Sequence, residues 1–159
     1  MKKLFFDQLD KMMKKNKDIY IIFVGLGWPR VDEFLQKYPD RAINSEASEQ
    51  TASDIAVGLA YAGKIPVMYT ITPFYWRCAE TLRTYIDYEN LNVKLVGVGQ
   101  DGDYSDHGDG FSHDARDIEK LFRVLNNFEV FKPKDEVELE QNLNLMIGLK
   151  RPSFLNIKR

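Results

Sequence analysis

The residues of this sequence that are best suited to chemistry fall in four short segments, at 25–30, 44–50, 71–77 and 99–113. The second holds Glu49, which opens an expected helix of small residues. The third holds Phe74, and the fourth holds Asp109 and His113 in a Gly/Asp-rich loop. A carboxyl group beside close-packed small residues is a candidate for acid–base work, and a histidine can move protons near neutral pH.

Each of these residues also has an ordinary structural interpretation, and spacing alone leaves both open. Glu49, like Glu46, is compatible with a surface glutamate favoured by the positive end of a helix dipole. Phe74 is compatible with a core aromatic residue at the junction of a strand and a helix. A loop rich in aspartate and glycine, such as the one that carries Asp109, is often simply a turn.

Several short motifs do not support a site. Gly25-Leu26-Gly27 lacks the third glycine of a dinucleotide fingerprint, because Arg30 stands in its place. We therefore interpret the two glycines as a turn after a strand. His107 and His113 match no zinc spacing, and we predict no metal site in this chain. Cys78 falls in a predicted amphipathic helix and is interpreted as a packing residue.

The elements that must position the four segments follow from the apolar pattern. Continuous apolar runs predict strands covered on both faces, and helical spacing predicts the segments between them. The expected order is helix 4–13, strand 19–24, helix 29–35, strand 42–43, helix 46–62, strand 65–71, helix 75–88, strand 93–98, helix 118–125, strand 128–131, helix 139–147 and strand 153–157. This alternation predicts an α/β fold, a doubly wound and mainly parallel sheet with helices on both faces, in one domain over 1–159. Ligands of such sheets bind beyond the carboxyl ends of the strands, where the four segments should converge.

Composition excludes some classes of function. The chain has 159 residues, 44% of them hydrophobic, and a formal net charge of −2. This charge is not that of a nucleic-acid-binding protein, and no apolar run reaches the roughly 20 residues that span a bilayer. The first 15 residues predict an amphipathic helix and not a signal peptide. One cysteine forbids an internal disulfide, so we expect a cytoplasmic protein.

Residues 38 to 159 resemble one family in several collinear motifs. The run PDRAINSEASEQTASDIAVGLAYAGKIPVMYTITPF, then NLNVKLVGVG, then DGFSHDARDIEKLF are similar to the pyrimidine-binding domain of transketolases and deoxyxylulose-phosphate synthases. These are thiamine-diphosphate enzymes. The resemblance implies their α/β fold, their cofactor and their chemistry, in which the cofactor carries the carbanion and the protein orients it.

The resemblance also implies roles for individual residues. Glu49 matches the glutamate that hydrogen-bonds N1′ of the aminopyrimidine, where a desolvated carboxyl group can share a proton, and Gln50 follows it at the cofactor. Phe74 falls where an aromatic ring lies against the pyrimidine, with Tyr75 and Trp76 as possible neighbours in the same cleft. Two further residues, Asp109 and His113, match a family DGPTH step that faces substrate oxygens.

The match departs from the family pattern in ways that bear on partners and substrate. The magnesium motif of these enzymes is GDG with a distant asparagine, and Gly108-Asp109-Gly110 is followed too soon by Asn126 to fit it. The diphosphate and Mg²⁺ are therefore expected on a partner subunit, in a heterotetramer by analogy with the family. The loop 99–113 is acidic and lacks the basic residues that grip a sugar phosphate. Arg30 and Arg77 are the candidates for substrate binding, with solvated surface arginines as the alternative.

The sequence thus predicts the pyrimidine-side subunit of a split transketolase-like enzyme, which transfers a two-carbon ketol unit between sugars. Two alternatives remain open. One is a subunit of a thiamine-diphosphate-dependent 2-oxoacid decarboxylase. The other is a non-catalytic partner subunit of the same fold, since fold alone does not decide function.

Overall fold

Six parallel strands form a single sheet in the computed structural model, which describes residues 1–25 and 29–159. The strands are β1 (Ile19–Phe23), β2 (Ala42–Asn44), β3 (Ile65–Ile71), β4 (Lys94–Val98), β5 (Glu129–Phe131) and β6 (Ser153–Ile157). Their spatial order is β2-β1-β3-β4-β6-β5, and every neighbouring pair is parallel. β4 and β6 are buried at every position, as expected of strands covered on both faces.

Helices cover both faces of this sheet. They are α1 (Lys2–Lys15), α2 (Pro29–Lys37), α3 (Glu49–Tyr61), α4 (Ala79–Thr81), α5 (Ile118–Arg123) and α6 (Glu136–Gly148). One apolar core joins α1, α2 and α6 to one face, and a second joins α3, α5 and the residues around α4 to the other. Alternate strand residues divide between the two cores, for example Tyr69 and Met68 on β3. The doubly wound parallel fold predicted from the sequence is confirmed.

Helix α3 begins later than the sequence pattern indicates. The pattern predicts a start at Glu46, but Glu46 has a positive φ of 53° and its backbone N–H donates to Oδ1 of Asn44. The helix begins at Glu49, with Ser48 in the preceding cap position. The side chain of Asn44 offers the backbone a local turn, which competes with the first helical turn. The correction places Glu49 in the first turn of α3.

The helix predicted at 75–88 is a composite, which we call the 72–87 helix. It starts with a 3₁₀ segment over Thr72–Cys78, continues through α4 and ends with a π segment over Leu82–Asp87. Pro73 suits its first turn because proline lacks the N–H that has no acceptor there. Apolar spacing located this helix correctly but does not distinguish the three kinds of helical turn.

The segments expected to converge do so at the carboxyl edge of the sheet, as far as they are described. Gly25 has a φ of +61°, and a Cβ atom there would lie 3.0 Å from the Cα of Ala47. Such close approach requires glycine. The remainder of the predicted turn at Leu26 and Gly27 lies outside the described residues. No helix in the described part of the chain has the length and apolar character to cross a membrane.

Candidate active site

Glu49 is a buried carboxylate at the start of α3. The residue is 4% exposed, and Ala52, Ser53 and Ala56 form the buried face of the helix behind it. Its Oε1 atom accepts a hydrogen bond of 2.8 Å from Nη1 of Arg77, which lies on the 72–87 helix. The prediction of a buried carboxyl group at this helix start is confirmed, whereas Glu46 is exposed.

The guanidinium of Arg77 also covers the ring of Phe74. Its Cζ atom lies 3.8 Å from the ring centroid. The cause is local, because a 3₁₀ segment has about three residues per turn and places side chains at i and i+3 above one another. The side chain of Arg77 is half-exposed, while that of Glu49 beneath it is 5% exposed. One planar cation therefore stacks on an aromatic face and pairs with a buried carboxylate at the same time.

His113 completes this group from the loop after β4. Its ring meets Phe74 edge-on, with centroids 5.1 Å apart, and lies 6.2 Å from the ring of Tyr104. Nδ1 lies 3.0 Å from Oγ of Ser112. Nε2 has no hydrogen bond to any residue within 1–25 and 29–159. Glu49, Arg77, Phe74 and His113 thus form one continuous chain of contacts, built from α3, the 72–87 helix and the loop.

Asp109 lies in the same loop but has a different partner. Its Oδ2 atom is 3.4 Å from Nη1 of Arg159, whose guanidinium lies over the ring of Tyr104 at 4.5 Å. Tyr104 in turn packs on Gly99, which has a φ of +94° and where a Cβ atom would lie 2.5 Å from the tyrosine ring. Tyr104 therefore joins the aspartate and the histidine of the loop without a direct bond between them.

An open cleft of about 580 Å³ runs beside this group. Its lining is partly aromatic and partly charged: Pro73, Phe74, Trp76, Arg77, Phe111, Ser112, Asp114, Arg116, Asp117 and Lys120. Nε1 of Trp76 donates to Oδ1 of Asp117 at 3.3 Å, which fixes the indole at the wall. The cleft is large enough for a small sugar beside the aromatic group.

Two of the predicted neighbours are directed elsewhere. The side-chain amide of Gln50 donates to Oγ1 of Thr81 at 2.6 Å and to Oδ1 of Asp54 at 3.2 Å. Tyr75 is fully buried, and its hydroxyl donates to the carbonyl of Met68 at 2.8 Å. Tyr75 is a core residue, so its suggested place in the cleft is wrong. Adjacent residues of the 3₁₀ turn point in different directions, and only Phe74 and Trp76 reach the cleft.

Arg30 is not part of this group in the structure. It forms ion pairs with Asp7 on α1 and, at 2.8 Å, with Glu33 on its own helix. These pairs connect α1 to α2 on the other face of the sheet. Its role in substrate binding stays a prediction without a supporting contact.

Two cations on the far wall of the cleft could not be identified from the sequence. Arg116 pairs with Asp114 at 2.5 Å and with Asp106, and Lys120 has no ion pair within the described part of the chain. Both follow the substrate loop and begin an ordinary amphipathic helix, so spacing carried no signal for them. Their proximity to Phe74 depends on the packing of α5 against the 72–87 helix.

Cys78 belongs to the core, as predicted. It is 1% exposed, and burial raises the pKa of its thiol to about 12. A thiol in this state is not a nucleophile at neutral pH. In the described residues, no group of three or more His, Cys, Asp or Glu side chains is arranged to hold a metal ion.

Comparison with known proteins points in the same direction as this geometry. The family model described as "Transketolase, pyrimidine binding domain" matches residues 1–159. The chain belongs to this family. The transketolase pyrimidine-binding domain is thus the frame in which its buried glutamate and stacked aromatic ring are to be interpreted.

Relatives and solved structures cover much more than this domain. One of the two subunits of an apulose-4-phosphate transketolase from Actinobacillus succinogenes is 28% identical over 129 residues, which are 80% of this chain and 41% of that protein. A 1-deoxy-D-xylulose-5-phosphate synthase from Desulfotalea psychrophila is 33% identical over 92% of this chain and 22% of its own length. A solved split-gene transketolase, described as an inactive beta4 tetramer, superposes with a TM-score of 0.84 at 26% identity, over 99% of this chain and 50% of that one. This chain therefore spans half or less of each of these proteins.

The residues present fit the aminopyrimidine end of thiamine diphosphate. Arg77 already shows that the space between Phe74 and Glu49 holds a flat nitrogen-bearing group, stacked at 3.8 Å and hydrogen-bonded at 2.8 Å. An aminopyrimidine has the same two requirements, an aromatic face and a proton-sharing partner for its ring nitrogen. No comparable set of ligands for a diphosphate or Mg²⁺ is found in residues 1–25 and 29–159.

Proposed function

We propose that this chain is the pyrimidine-side subunit of a split transketolase-like enzyme, which transfers a two-carbon ketol unit between sugars and is active only with a partner subunit. The observation that carries the proposal is the convergence of a 4%-exposed glutamate and an aromatic face on one planar group. A buried carboxylate is costly to a fold unless it has a partner or a task. Membership of the transketolase pyrimidine-binding family supplies the task.

Glu49 and Phe74 would hold the cofactor's aminopyrimidine. Thiamine diphosphate, when bound, supplies a carbon centre that accepts the two-carbon unit. Glu49 would hold and move the proton at N1′ from its position in the first turn of α3. Phe74 would fix the plane of the ring by offset stacking, which contributes on the order of 1 kcal/mol.

His113, Asp109 and Arg77 would serve the substrate. With Nδ1 of His113 beside Ser112, Nε2 is left to donate or accept a proton at a sugar oxygen. Asp109 would accept hydrogen bonds from sugar hydroxyls at the mouth of the cleft. Arg77 lines the same cleft and would bind substrate oxygens once it is free of Glu49.

The partner subunit would carry the diphosphate and magnesium site. The residues of this chain supply a pyrimidine site alone, and the relative from Actinobacillus succinogenes is itself named as a transketolase subunit. The solved split-gene neighbour is described as inactive in the form of a beta4 tetramer. We propose the same dependence here, with a heterotetramer as the assembly, one pyrimidine domain over 1–159 and a cytoplasmic location.

Substitution of Glu49 tests the catalytic role. In the assembled complex, Glu49→Gln should lower ketol-transfer turnover by at least about 100-fold, because the proton can no longer be shared with the ring nitrogen. The control is Glu46→Gln, a change of the same type at an exposed position three residues earlier, which should leave turnover unchanged. Circular dichroism should show that both variants keep the fold. Full turnover by a folded Glu49→Gln complex would contradict the proposal.

Purification from the native host tests the partnership. A tagged chain should retain a stoichiometric protein that carries a GDG motif with a distant asparagine, identified by mass spectrometry. Incubation of that complex with 2-oxoacids separates the remaining enzymatic alternative, since release of carbon dioxide without ketol transfer would indicate a decarboxylase. A chain that purifies without any such partner would instead favour the non-catalytic interpretation.

A further inference from the structure

Arg77 occupies the position that the cofactor's ring requires. Its guanidinium lies against the one face of Phe74 and donates to the one carboxylate, Glu49, that the proposed function assigns to the aminopyrimidine. Two planar groups cannot stack on the same area of a ring while bonding the same oxygen. Binding of the cofactor therefore requires Arg77 to leave.

The burial of the two partners makes this departure possible. The side chain of Glu49 is 5% exposed, so an empty site would leave an unpaired buried carboxylate, which destabilises a fold. The side chain of Arg77 is 50% exposed and already borders the open cleft, so it can move into water without a new desolvation cost. The carboxylate is the fixed member of the pair and the arginine is the movable one.

We infer that Arg77 is a placeholder for the aminopyrimidine: it neutralises Glu49 and covers Phe74 in the cofactor-free chain, and the cofactor displaces it into the substrate cleft. This inference rests on the proposed function. It assigns Arg77 two successive positions, first on Glu49 and then among the cleft residues. A cation for substrate oxygens thus becomes available in the cleft only after the cofactor has bound, which orders the two binding events.

The displacement has a measurable cost. A half-exposed ion pair and a half-exposed cation–π contact are each weak, and together they should reduce cofactor affinity by roughly tenfold. Arg77→Met removes the charge and the planar group but keeps a chain that can cover Phe74. The matched control is Arg123→Met on α5, where a 76%-exposed side chain pairs with Glu119 at 3.7 Å.

The test measures binding and not turnover. Isothermal titration of thiamine diphosphate, with Mg²⁺, into the assembled complex should give a dissociation constant roughly tenfold lower for Arg77→Met than for wild type, with Arg123→Met unchanged. In the free subunit, Arg77→Met should lower the melting temperature because Glu49 loses its partner. Arg77→Lys, which keeps the charge without the planar group, should fall between wild type and Arg77→Met in both measurements.

The outcomes separate this inference from the proposed function. Wild-type binding with equal or weaker binding by Arg77→Met would overturn the placeholder and leave the proposed function standing. Absence of cofactor binding in wild type and in every variant would overturn the proposed function, and the placeholder with it. If Arg77→Met does not fold, the Arg77→Lys complex decides, since its affinity must then exceed that of wild type.

Discussion

A lysine without a carboxylate partner, Lys94, begins the central strand β4 and offers a quantitative test of the structure. It is 0% exposed, and its Nζ donates to the carbonyls of Leu149 at 3.0 Å and Arg151 at 2.7 Å. These carbonyls follow α6, so the ammonium connects the end of that helix to the sheet. No carboxylate pairs with Lys94 in the described part of the chain. Burial, together with the nearby charge of Arg151, lowers its pKa from 10.5 to about 7.

The size and sign of the effect follow from this shift. Between about pH 7 and 10.5 the unfolded chain binds the proton at Lys94 and the folded chain does not, so the free energy of unfolding rises with pH. Below that window both states are charged and the cost of burial is complete, and above it both are neutral. One pH unit of difference in pKa corresponds to about 1.4 kcal/mol, so the whole window is worth on the order of 5 kcal/mol.

Urea unfolding of the free subunit at pH 6.5, 7.5, 8.5 and 9.5 measures this directly. Wild type should gain up to about 1.4 kcal/mol per pH unit above pH 7 relative to Lys94→Met, which has no charge to lose. The difference between the two proteins cancels the titration of all other groups. Lys64→Met is the control, because Lys64 lies at the surface, where its hydrogen bond to Asp18 raises its pKa, and it cannot produce this rise. Equal pH slopes for wild type and Lys94→Met would refute the reasoning, since they would show that the buried ammonium keeps its proton.

Two further predictions concern the site and its loop. Phe74→Leu should weaken binding of thiamine diphosphate to the complex by roughly fivefold, through loss of offset stacking of about 1 kcal/mol, while Tyr88→Leu at an 83%-exposed position should not; equal affinities in a titration would count against the stacking. Gly99→Ala should destabilise the chain by about 1–3 kcal/mol, because φ is +94° and the new Cβ would lie 2.5 Å from the ring of Tyr104. Gly148→Ala, where nothing lies within 4 Å of the added atom, should be neutral or stabilising in the same thermal melt, and an unchanged melting temperature for Gly99→Ala would contradict the close packing.

The fold was largely predictable because its strands are buried on both faces. The β3 strand runs over Ile65–Ile71 as expected, since a continuous apolar run between Gly63 and Pro73 leaves little freedom in where it begins and ends. The start of α3 was not predictable from apolar spacing, because a side-chain turn at Asn44 decides it. The 3₁₀ and π turns of the 72–87 helix were also beyond the pattern, which reports only that one face is apolar.

The candidate site divides in the same way. Glu49 and Phe74 stand at fixed positions of recurring motifs, so the resemblance located them one residue at a time. The contact between Phe74 and Arg77 depends on a 3₁₀ turn, which brings residues three apart into register, and apolar spacing contains no signal for that turn. Tyr75 was misplaced for the same reason, since the direction of each side chain here follows the type of turn.

The acidic loop, which suggested a substrate without a phosphate, has a more specific meaning in three dimensions. Asp106 and Asp114 both pair with Arg116, so the acidic side chains occupy a cation that lines the cleft. Arg77 is occupied by Glu49 until a cofactor displaces it. Lys120 is then the cleft cation without an ion pair in the described residues, and a single exposed lysine binds a phosphate as a point charge without the bidentate geometry of arginine. The structure therefore favours a substrate recognised by its hydroxyl and carbonyl oxygens over one held by a phosphate group.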